Sequence, residues 1–405
     1  MHMSKIHVCF FVMLLLAQAG VHVSAQENGS PSPRMGPRLV YDEVNGRVLL
    51  FGGAIWTDRY TFYNDLRSFD RVSGAWTEVE VPGLKPSGRF NTPLVYVPDR
   101  GQILVFGGFS SVGRVGDTWA YDVAENTWTR LQPVTQPSPR SDAAIAYDDE
   151  NHVVVMFGGY GNDDETTSDT WVFDFNQMNW VEVHPEGSPR NQYGGQMVYD
   201  AENRALLMYP GHWSVESGGA LLSHGYSDNV WVYSYSENRW SETAAGSKPP
   251  GRYWFNLAYA AQSGEVVLFG GSGGEDDQLD DTWLYDYDAN TWTRLNPAVK
   301  PPVRACSSMA YDPSSNSVVM FGGSYLGHTT YSDTWVLDLG SGAWSEVIGS
   351  ESEAPVEGSG GVPGFPLHAS LCGLLVALAA LCKPLKLTKG LKGAVRLLRG
   401  VSLVP

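Results

Sequence analysis

The stretch RFNTPLVYVPDRGQILVFGGFSSVGRVGDTWAYDVAENTWTRL, Arg89–Leu131, contains one complete copy of the unit that builds most of this chain. Its segments rich in Val, Tyr, Phe and Trp are separated by turns rich in Gly and Asp, which is typical of short β-strands. The pattern predicts an innermost strand opened by Arg89 and ended by Tyr96, a second strand over Ile103–Phe106, a third over Trp119–Asp122 and an outermost strand at Trp128.

The same unit occurs six times. Phe-Gly-Gly begins at five positions, Tyr209-Pro210-Gly211 takes the sixth place, and a Tyr precedes each by ten residues. This constant spacing predicts two strands joined by a tight hairpin, because a change of length would turn the buried face outward. The first residues of the Phe-Gly-Gly motifs are Phe51, Phe106, Phe157, Phe269 and Phe321, and the tyrosines are Tyr41, Tyr96, Tyr147, Tyr199, Tyr259 and Tyr311.

Each copy also carries Asp or Asn followed 11 residues later by Trp, and five copies carry a further Trp two residues after the Asp or Asn. The first copy has Arg67 at that place. An Arg stands seven residues before the Tyr in five copies and nine before it in the fourth, which predicts two extra residues there. These arginines are Arg34, Arg89, Arg140, Arg190, Arg252 and Arg304.

This order of Arg, Tyr-Asp, Gly-Gly, Asp and Trp resembles the kelch repeat over about residues 31–349. The resemblance implies an all-β, six-bladed kelch-type β-propeller in one domain, since no single unit can bury its own apolar face. We expect the repeated Trp and Tyr to pack between blades, and blade 1 to close on blade 6 without a shared strand. Two interpretations of the repeated Arg remain open: bonding to carbonyls near the channel mouth, or contact with a ligand.

The two ends of the chain predict export and anchoring. Residues 1–25 have the basic start, apolar run and small-residue cleavage site of a signal peptide. Residues 350–364 are predicted to be a flexible stalk, 365–382 a membrane helix and 383–405 a basic cytoplasmic tail. All 44 acidic residues, with 20 of the 27 Lys and Arg, lie between Glu27 and Glu357. We therefore expect a domain on the extracellular face of the membrane that does not bind nucleic acid.

Three tryptophans fall outside the repeat, and all of them map to one rim of the predicted ring. This rim is formed by the loops that enter the first strands and the loops that join the second and third strands. The fourth copy has an unusually long loop there. The expected ligand-binding residues are Trp56, Arg190, His212, Trp213, His224, Tyr226, Arg252, Tyr253 and Trp254. The competing interpretation is that the long loop only caps the channel and packs Trp213 against blade 5.

Other chemistry receives weaker support. The acidic loops at 161–169 and 273–281 offer oxygen ligands for Ca²⁺ but lack the spacing of a recognised calcium loop. A copper site like that of galactose oxidase, which shares the kelch ring, would need a Tyr–Cys crosslink and two His. Cys306 is the one candidate thiol, and it has no disulfide partner within the predicted propeller; no His-rich segment follows it. No cofactor is therefore expected.

The sequence favours a non-catalytic binding module for a glycan or an extracellular protein. One alternative is a carbohydrate-active enzyme at the same rim, such as a kelch-type mutarotase or epimerase, with Glu216 and His224 as an acid–base pair. A purely structural surface protein is the third hypothesis.

Overall fold

In a computed structural model, the structure describes residues 29–347, except 163–164, 218–219, 275–276 and 328, and also residues 356–357. The predicted signal peptide, membrane helix and basic tail lie outside the described residues. Within the described ranges there are no α-helices, so none long and apolar enough to cross a membrane, and one 3₁₀ turn at Pro98–Arg100.

Each repeat forms one antiparallel sheet of four strands that follow one another along the chain, so each blade is built from a continuous segment. The strands are Arg38–Asp42, Arg47–Phe51, Leu66–Asp70 and Ala75–Glu78 in blade 1; Leu94–Val97, Gln102–Phe106, Thr118–Asp122 and Thr127–Leu131 in blade 2; Ala144–Asp148, Val153–Phe157, Thr170–Asp174 and Asn179–Val183 in blade 3; Gln196–Asp200, Ala205–Tyr209, Val230–Ser234 and Arg239–Thr243 in blade 4; Asn256–Ala260, Glu265–Ser272, Gln278–Asp286 and Thr291–Leu295 in blade 5; and Ser308–Asp312, Ser317–Phe321, Thr334–Asp338 and Ala343–Val347 in blade 6.

The six first strands contact one another in sequence and form the inner wall of a closed ring. The ring closes where the first strand of blade 1 meets that of blade 6, and there the Leu39 amide donates to Ser308 Oγ at 2.9 Å. Apolar residues of both blades form one core cluster. The prediction of closure by packing, without a shared strand, is confirmed.

The tryptophan of each outermost strand joins its blade to the preceding one. Trp76 of blade 1 lies 5.3 Å, ring centre to ring centre, from Phe321 of blade 6, and its indole N–H donates to Thr334 Oγ1 at 2.9 Å. Trp180, Trp240 and Trp344 repeat both contacts, and Trp128 and Trp292 repeat the ring contact. The predicted inter-blade packing is confirmed for these six residues.

The loops before the first strands and those between the second and third strands share one face, which we call the rim. Single bridges pair the two loop sets, for example Tyr193 with His212 and Tyr253 with Ser272. The rim has short strands of its own: Ala54–Trp56, Tyr60–Phe62, Arg89–Phe90, Phe109–Ser110, Gly113–Arg114, Arg140–Ser141, Tyr160–Gly161, His212–Ser217, Ala220–Tyr226, Ser324–Tyr325, Thr329–Thr330 and Val356–Glu357.

Two expectations need correction. The repeated Arg does not open the innermost strand; it lies in the rim four or five residues earlier, as Arg252 does before the strand that begins at Asn256. Part of the predicted stalk is not independent of the propeller, because Val356–Glu357 pairs with Thr329–Thr330 of blade 6. The chain therefore leaves blade 6 on the rim.

Candidate functional site

Six equivalent residues, one from each blade, form a closed hydrogen-bonded ring at the centre of the rim. Each amide donates to the carbonyl of the equivalent residue in the neighbouring blade at 2.6–2.9 Å. All six have φ between 49° and 70°, in the left-handed region. We call this set the mouth ring: Gly36, Asn91, Asp142, Gly194, Trp254 and Cys306.

Side chains of the mouth ring lie over its two glycines. The Trp254 indole donates to Asp142 Oδ1 at 2.8 Å and passes over Gly194, where an added Cβ would lie 3.0 Å from Trp254 Cδ1. Asn91 covers Gly36 in the same way. Burial raises the pKa of the Asp142 carboxyl and of the Cys306 thiol. Asn91, Asp142 and Cys306 are buried, so little of the mouth ring is open to solvent.

Five blades hold a buried ion pair just outside the mouth ring. Arg252, which is 0% exposed, donates to both carboxylate oxygens of Asp281 at 2.5 and 2.9 Å and to the Gly270 carbonyl. Burial alone would raise the pKa of Asp281, but the Arg252 hydrogen bonds and charge hold it below its ordinary value. The equivalent pairs are Arg34–Asp65, Arg89–Asp117, Arg140–Asp169 and Arg304–Asp333.

These contacts support the structural interpretation of the repeated Arg. The Arg252 guanidinium is enclosed and bonded to its own blade, so the structure does not present it to a ligand on the rim. A buried charge of this kind is stabilised only while its partner is present.

Blade 4 differs because the repeat position is occupied by Gln192, not by Arg190. The Gln192 backbone amide donates to Thr167 O and its backbone carbonyl accepts from the Gly159 amide, as the backbones of Arg34, Arg89, Arg140 and Arg304 do with their own partners. The predicted two-residue insertion is therefore wrong: Gln192 stands seven residues before Tyr199, as in every other copy. Asn229 replaces the acidic partner, so both charges of the ion pair are absent together.

We define the blade 4 hairpin as His212–Ser217 paired with Ala220–Tyr226. Arg190 does not occupy the repeat position and lies exposed beside this hairpin. Its guanidinium lies 5.0 Å from the centre of the Trp213 ring. The same ring packs against Gly225, where an added Cβ would come within 2.8 Å of it. Val215 and Leu222 are exposed farther along the hairpin. We call Arg190 and the hairpin side chains Trp213, Val215 and Leu222 the hairpin strip.

The opposite side of the hairpin faces the blade 5 rim. His212 Nε2 lies 3.2 Å from His224 Nδ1, and the His212 ring lies 5.1 Å from Tyr226 and 5.6 Å from Tyr253, centre to centre. Burial, with a smaller effect of His224, lowers the pKa of His212 to about 4. His212 is therefore neutral near pH 7.

The three tryptophans outside the repeat share the rim but not one cluster. Trp56 packs against Tyr60 at 4.8 Å and belongs, with Trp254, to the apolar cluster around Met35 and Cys306. Trp213 lies apart from this cluster, on the far side of the blade 4 hairpin. The rim therefore carries two separate aromatic regions.

The described residues give no geometric support to the metal and catalytic hypotheses. Asp169 and Asp281 of the acidic loops bond to arginine, and residues 163–164 and 275–276 lie outside the described residues. Where the chain is described, no group of three His, Cys, Asp or Glu is placed to hold a metal. The side chain of Glu216 and all of His328 are outside the described part.

Tyr160 and Tyr193 are not among the ligand-binding residues expected from the sequence. Tyr193 lies 4.9 Å from Tyr160 and 5.2 Å from His212, and forms a buried cluster with Tyr253. Counting from Gln192 would have revealed it, because Tyr193 follows Gln192 as Tyr253 follows Arg252.

The chain matches the family model described as the KLHDC2/KLHL20/DRC7 Kelch-repeats domain over residues 10–211 and 210–362. It is 28% identical over 302 residues to adagio-like protein 1 of Oryza sativa subsp. japonica, covering 69% of this chain and 46% of that protein. It is 26% identical over 216 residues to an F-box/kelch-repeat protein of Arabidopsis thaliana, covering 50% and 43%. It is 24% identical over 342 residues to the flagellar outer arm dynein alpha chain of Chlamydomonas reinhardtii, covering 79% and 7%. The chain spans less than half the length of these relatives.

Proposed function

Because the chain belongs to the kelch-repeat family, we propose that it is a non-catalytic binding module whose rim, at blades 4, 5 and 1, holds a protein ligand. The observation that carries this proposal is the hairpin strip, which projects from the one blade whose repeat is altered. Val215 is 42% and Leu222 65% exposed, beside the Arg190–Trp213 contact. Trp and Arg next to exposed apolar side chains are typical of the centres of protein interfaces.

A protein fits the hairpin strip better than a glycan does. Sugar recognition needs several hydrogen-bonding side chains around an aromatic ring with a free face. The Trp213 ring is covered by Arg190 and Gly225, and the exposed Val215 and Leu222 of the same hairpin are apolar. Trp254 and Tyr253 are packed into the mouth ring and the tyrosine cluster.

The enzyme hypothesis requires an acid–base pair, and the structure describes only one side chain of the expected pair. His224 contacts His212, and the side chain of its expected partner Glu216 lies outside the described residues. A kelch-type sugar enzyme at this rim therefore stays a prediction from the sequence.

The test is affinity capture with the full-length chain immobilised, combined with a glycan array. We expect a defined protein to be retained by the native chain and lost by Trp213→Ala and by Leu222→Ser at unchanged melting temperature. Val112→Ser is the matched control, because Val112 is 83% exposed in the blade 2 rim loop. Retention that survives both hairpin variants would contradict the proposal. A Trp213-dependent glycan signal without protein capture would reassign the ligand class.

The location is a further proposal, supported by the sequence of the two ends. Val356–Glu357 leaves blade 6 on the rim, eight residues before the expected membrane helix at 365–382. Eight extended residues reach about 28 Å, so an anchored propeller would turn its rim towards the bilayer. Membrane fractionation with protease protection checks this: protein released intact into buffer would reject the anchor.

A further inference from the structure

The axis of the propeller contains a cavity of about 1010 Å³ that the rim does not reach. Its wall is made by the first strands of all six blades. One end lies at the start of these strands, at Arg38, Ala143 and Ser308, just below the mouth ring. The other end lies beyond the repeated tyrosines, at Glu43 and Asp149, which are exposed to solvent. We call this cavity the axial tunnel and its open end the tyrosine face.

The mouth ring closes the axial tunnel towards the rim. Its backbone hydrogen bonds are continuous, the Trp254 indole bridges Gly194, and Asn91, Asp142 and Cys306 are all buried. A ligand must therefore enter from the tyrosine face. Five residues of extended strand separate Arg38 from Glu43, which makes the tunnel roughly 16 Å deep.

The wall of the axial tunnel combines aliphatic side chains of the first strands with the six repeated tyrosines. Val40, Val95, Ile145 and Val198 are only half-buried inside the ring and line this space. The volume is at the upper end of cavities that hold small organic ligands. The aliphatic side chains of this wall favour a ligand with an elongated apolar body.

Arg38 places a cation at the closed end, where the other blades have Pro93, Ala144, Gln196, Asn256 and Ser308. Its Nε donates to Thr92 O at 2.9 Å. Among the residues that the structure describes, no carboxylate forms an ion pair with Arg38, in contrast to the five rim arginines.

The charge of Asp142 acts on Arg38, but the Asp142 oxygens already accept hydrogen bonds from Trp254 and Ser141. Burial lowers the pKa of Arg38, which means that the enclosed guanidinium has lost solvation. An anion with two oxygens would restore it through a bidentate contact.

We propose that the axial tunnel binds an elongated organic monocarboxylate, with its carboxylate on Arg38 and its apolar chain along the wall. Glu43 and Asp149 at the open end repel multiply charged anions, and this favours a single negative charge with an apolar body. The site lies on the opposite side of the mouth ring from the hairpin strip. This proposal therefore does not depend on the proposed binding of a protein at the rim.

The test is isothermal titration of the full-length chain with sodium decanoate below its micelle concentration. We expect saturable binding of decanoate, and no binding of acetate, decanol or decylammonium. Arg38→Met keeps the side-chain length without the charge and should weaken decanoate at least tenfold, which is about 1.4 kcal/mol. Arg59→Met, at an exposed arginine on the rim, is the matched control and should leave the affinity unchanged.

A second variant distinguishes loss of the binding site from misfolding of Arg38→Met. Ile145→Trp fills the tunnel without touching Arg38 and should also abolish decanoate binding, while its circular dichroism and melting curve stay native. Decanoate that binds both variants as it binds the native chain would overturn the proposal. So would absence of binding to the native chain, or decanol binding as tightly as decanoate.

Discussion

The indole nitrogen of Trp254 in blade 5 donates a 2.8 Å hydrogen bond to Asp142 of blade 3, and so reaches across the whole of blade 4. The bond is possible because Gly194, the blade 4 member of the mouth ring, has no side chain beneath the indole. Together with the backbone ring, it separates the rim from the axial tunnel. The molecule therefore has two unconnected candidate surfaces.

Gly194→Ala should destabilise the protein more than an equivalent change elsewhere. Its φ of +70° costs any L side chain about 1–2 kcal/mol, and the new Cβ would also meet Trp254. Gly83→Ala is the control, because Gly83 has φ +82° and open space around it. Urea unfolding should show the larger loss for Gly194→Ala; equal losses would mean that the indole does not press on Gly194.

Arg252→Met should cost about 3–5 kcal/mol of unfolding free energy, because it leaves Asp281 buried without its partner. Arg190→Met should cost no more than about 1 kcal/mol, since an exposed cation–π contact is weak. Chemical denaturation of both variants measures the contrast. Similar costs at the two positions would contradict the assignment of Gln192, and not Arg190, to the repeat.

Gln192→Arg tests the same assignment from the other direction. The new guanidinium would be buried opposite the neutral Asn229, so we expect a loss of about 3–5 kcal/mol. Adding Asn229→Asp should recover most of it, because the pair of the other five blades is then restored. A double-mutant cycle gives the coupling energy; additive effects would show that the two positions do not face each other.

His212 should make the protein less stable in mild acid. Its pKa is about 4 in the folded chain and near 6.5 when unfolded, so below pH 6.5 the unfolded chain binds the extra proton. Stability should fall by up to about 3 kcal/mol as pH decreases from 6.5 to 4. Thermal unfolding of His212→Phe should show a flatter pH profile, whereas His184→Phe, at an exposed histidine, should follow the native curve. Parallel profiles for all three would refute the burial of a neutral His212.

Much of the fold was predictable because each repeat carries several residue types at constant spacing. The constant spacing of ten residues from Tyr to Phe-Gly-Gly fixes a hairpin, and the recurring Trp fixes the blade interfaces. The rim position of the extra loop in the fourth copy followed from strand alternation. The register of that copy did not follow, because Arg190 lies close enough to the repeat position to be mistaken for it, while the true equivalent is the uncharged Gln192.

The sequence by itself determined the six units, their strand order and the presence of one irregular blade, since these depend on contacts between residues less than about 60 positions apart. Only the tertiary structure decided which side chains remain available. Arg252 and Trp254 look alike as candidates in the sequence, yet one is bonded to Asp281 of its own blade and the other to Asp142 of a distant one. The axial tunnel exists only because six first strands, far apart in the sequence, lie around one axis. Its closure by the mouth ring and the position of Arg38 depend on the same long-range contacts, which no local sequence pattern predicts.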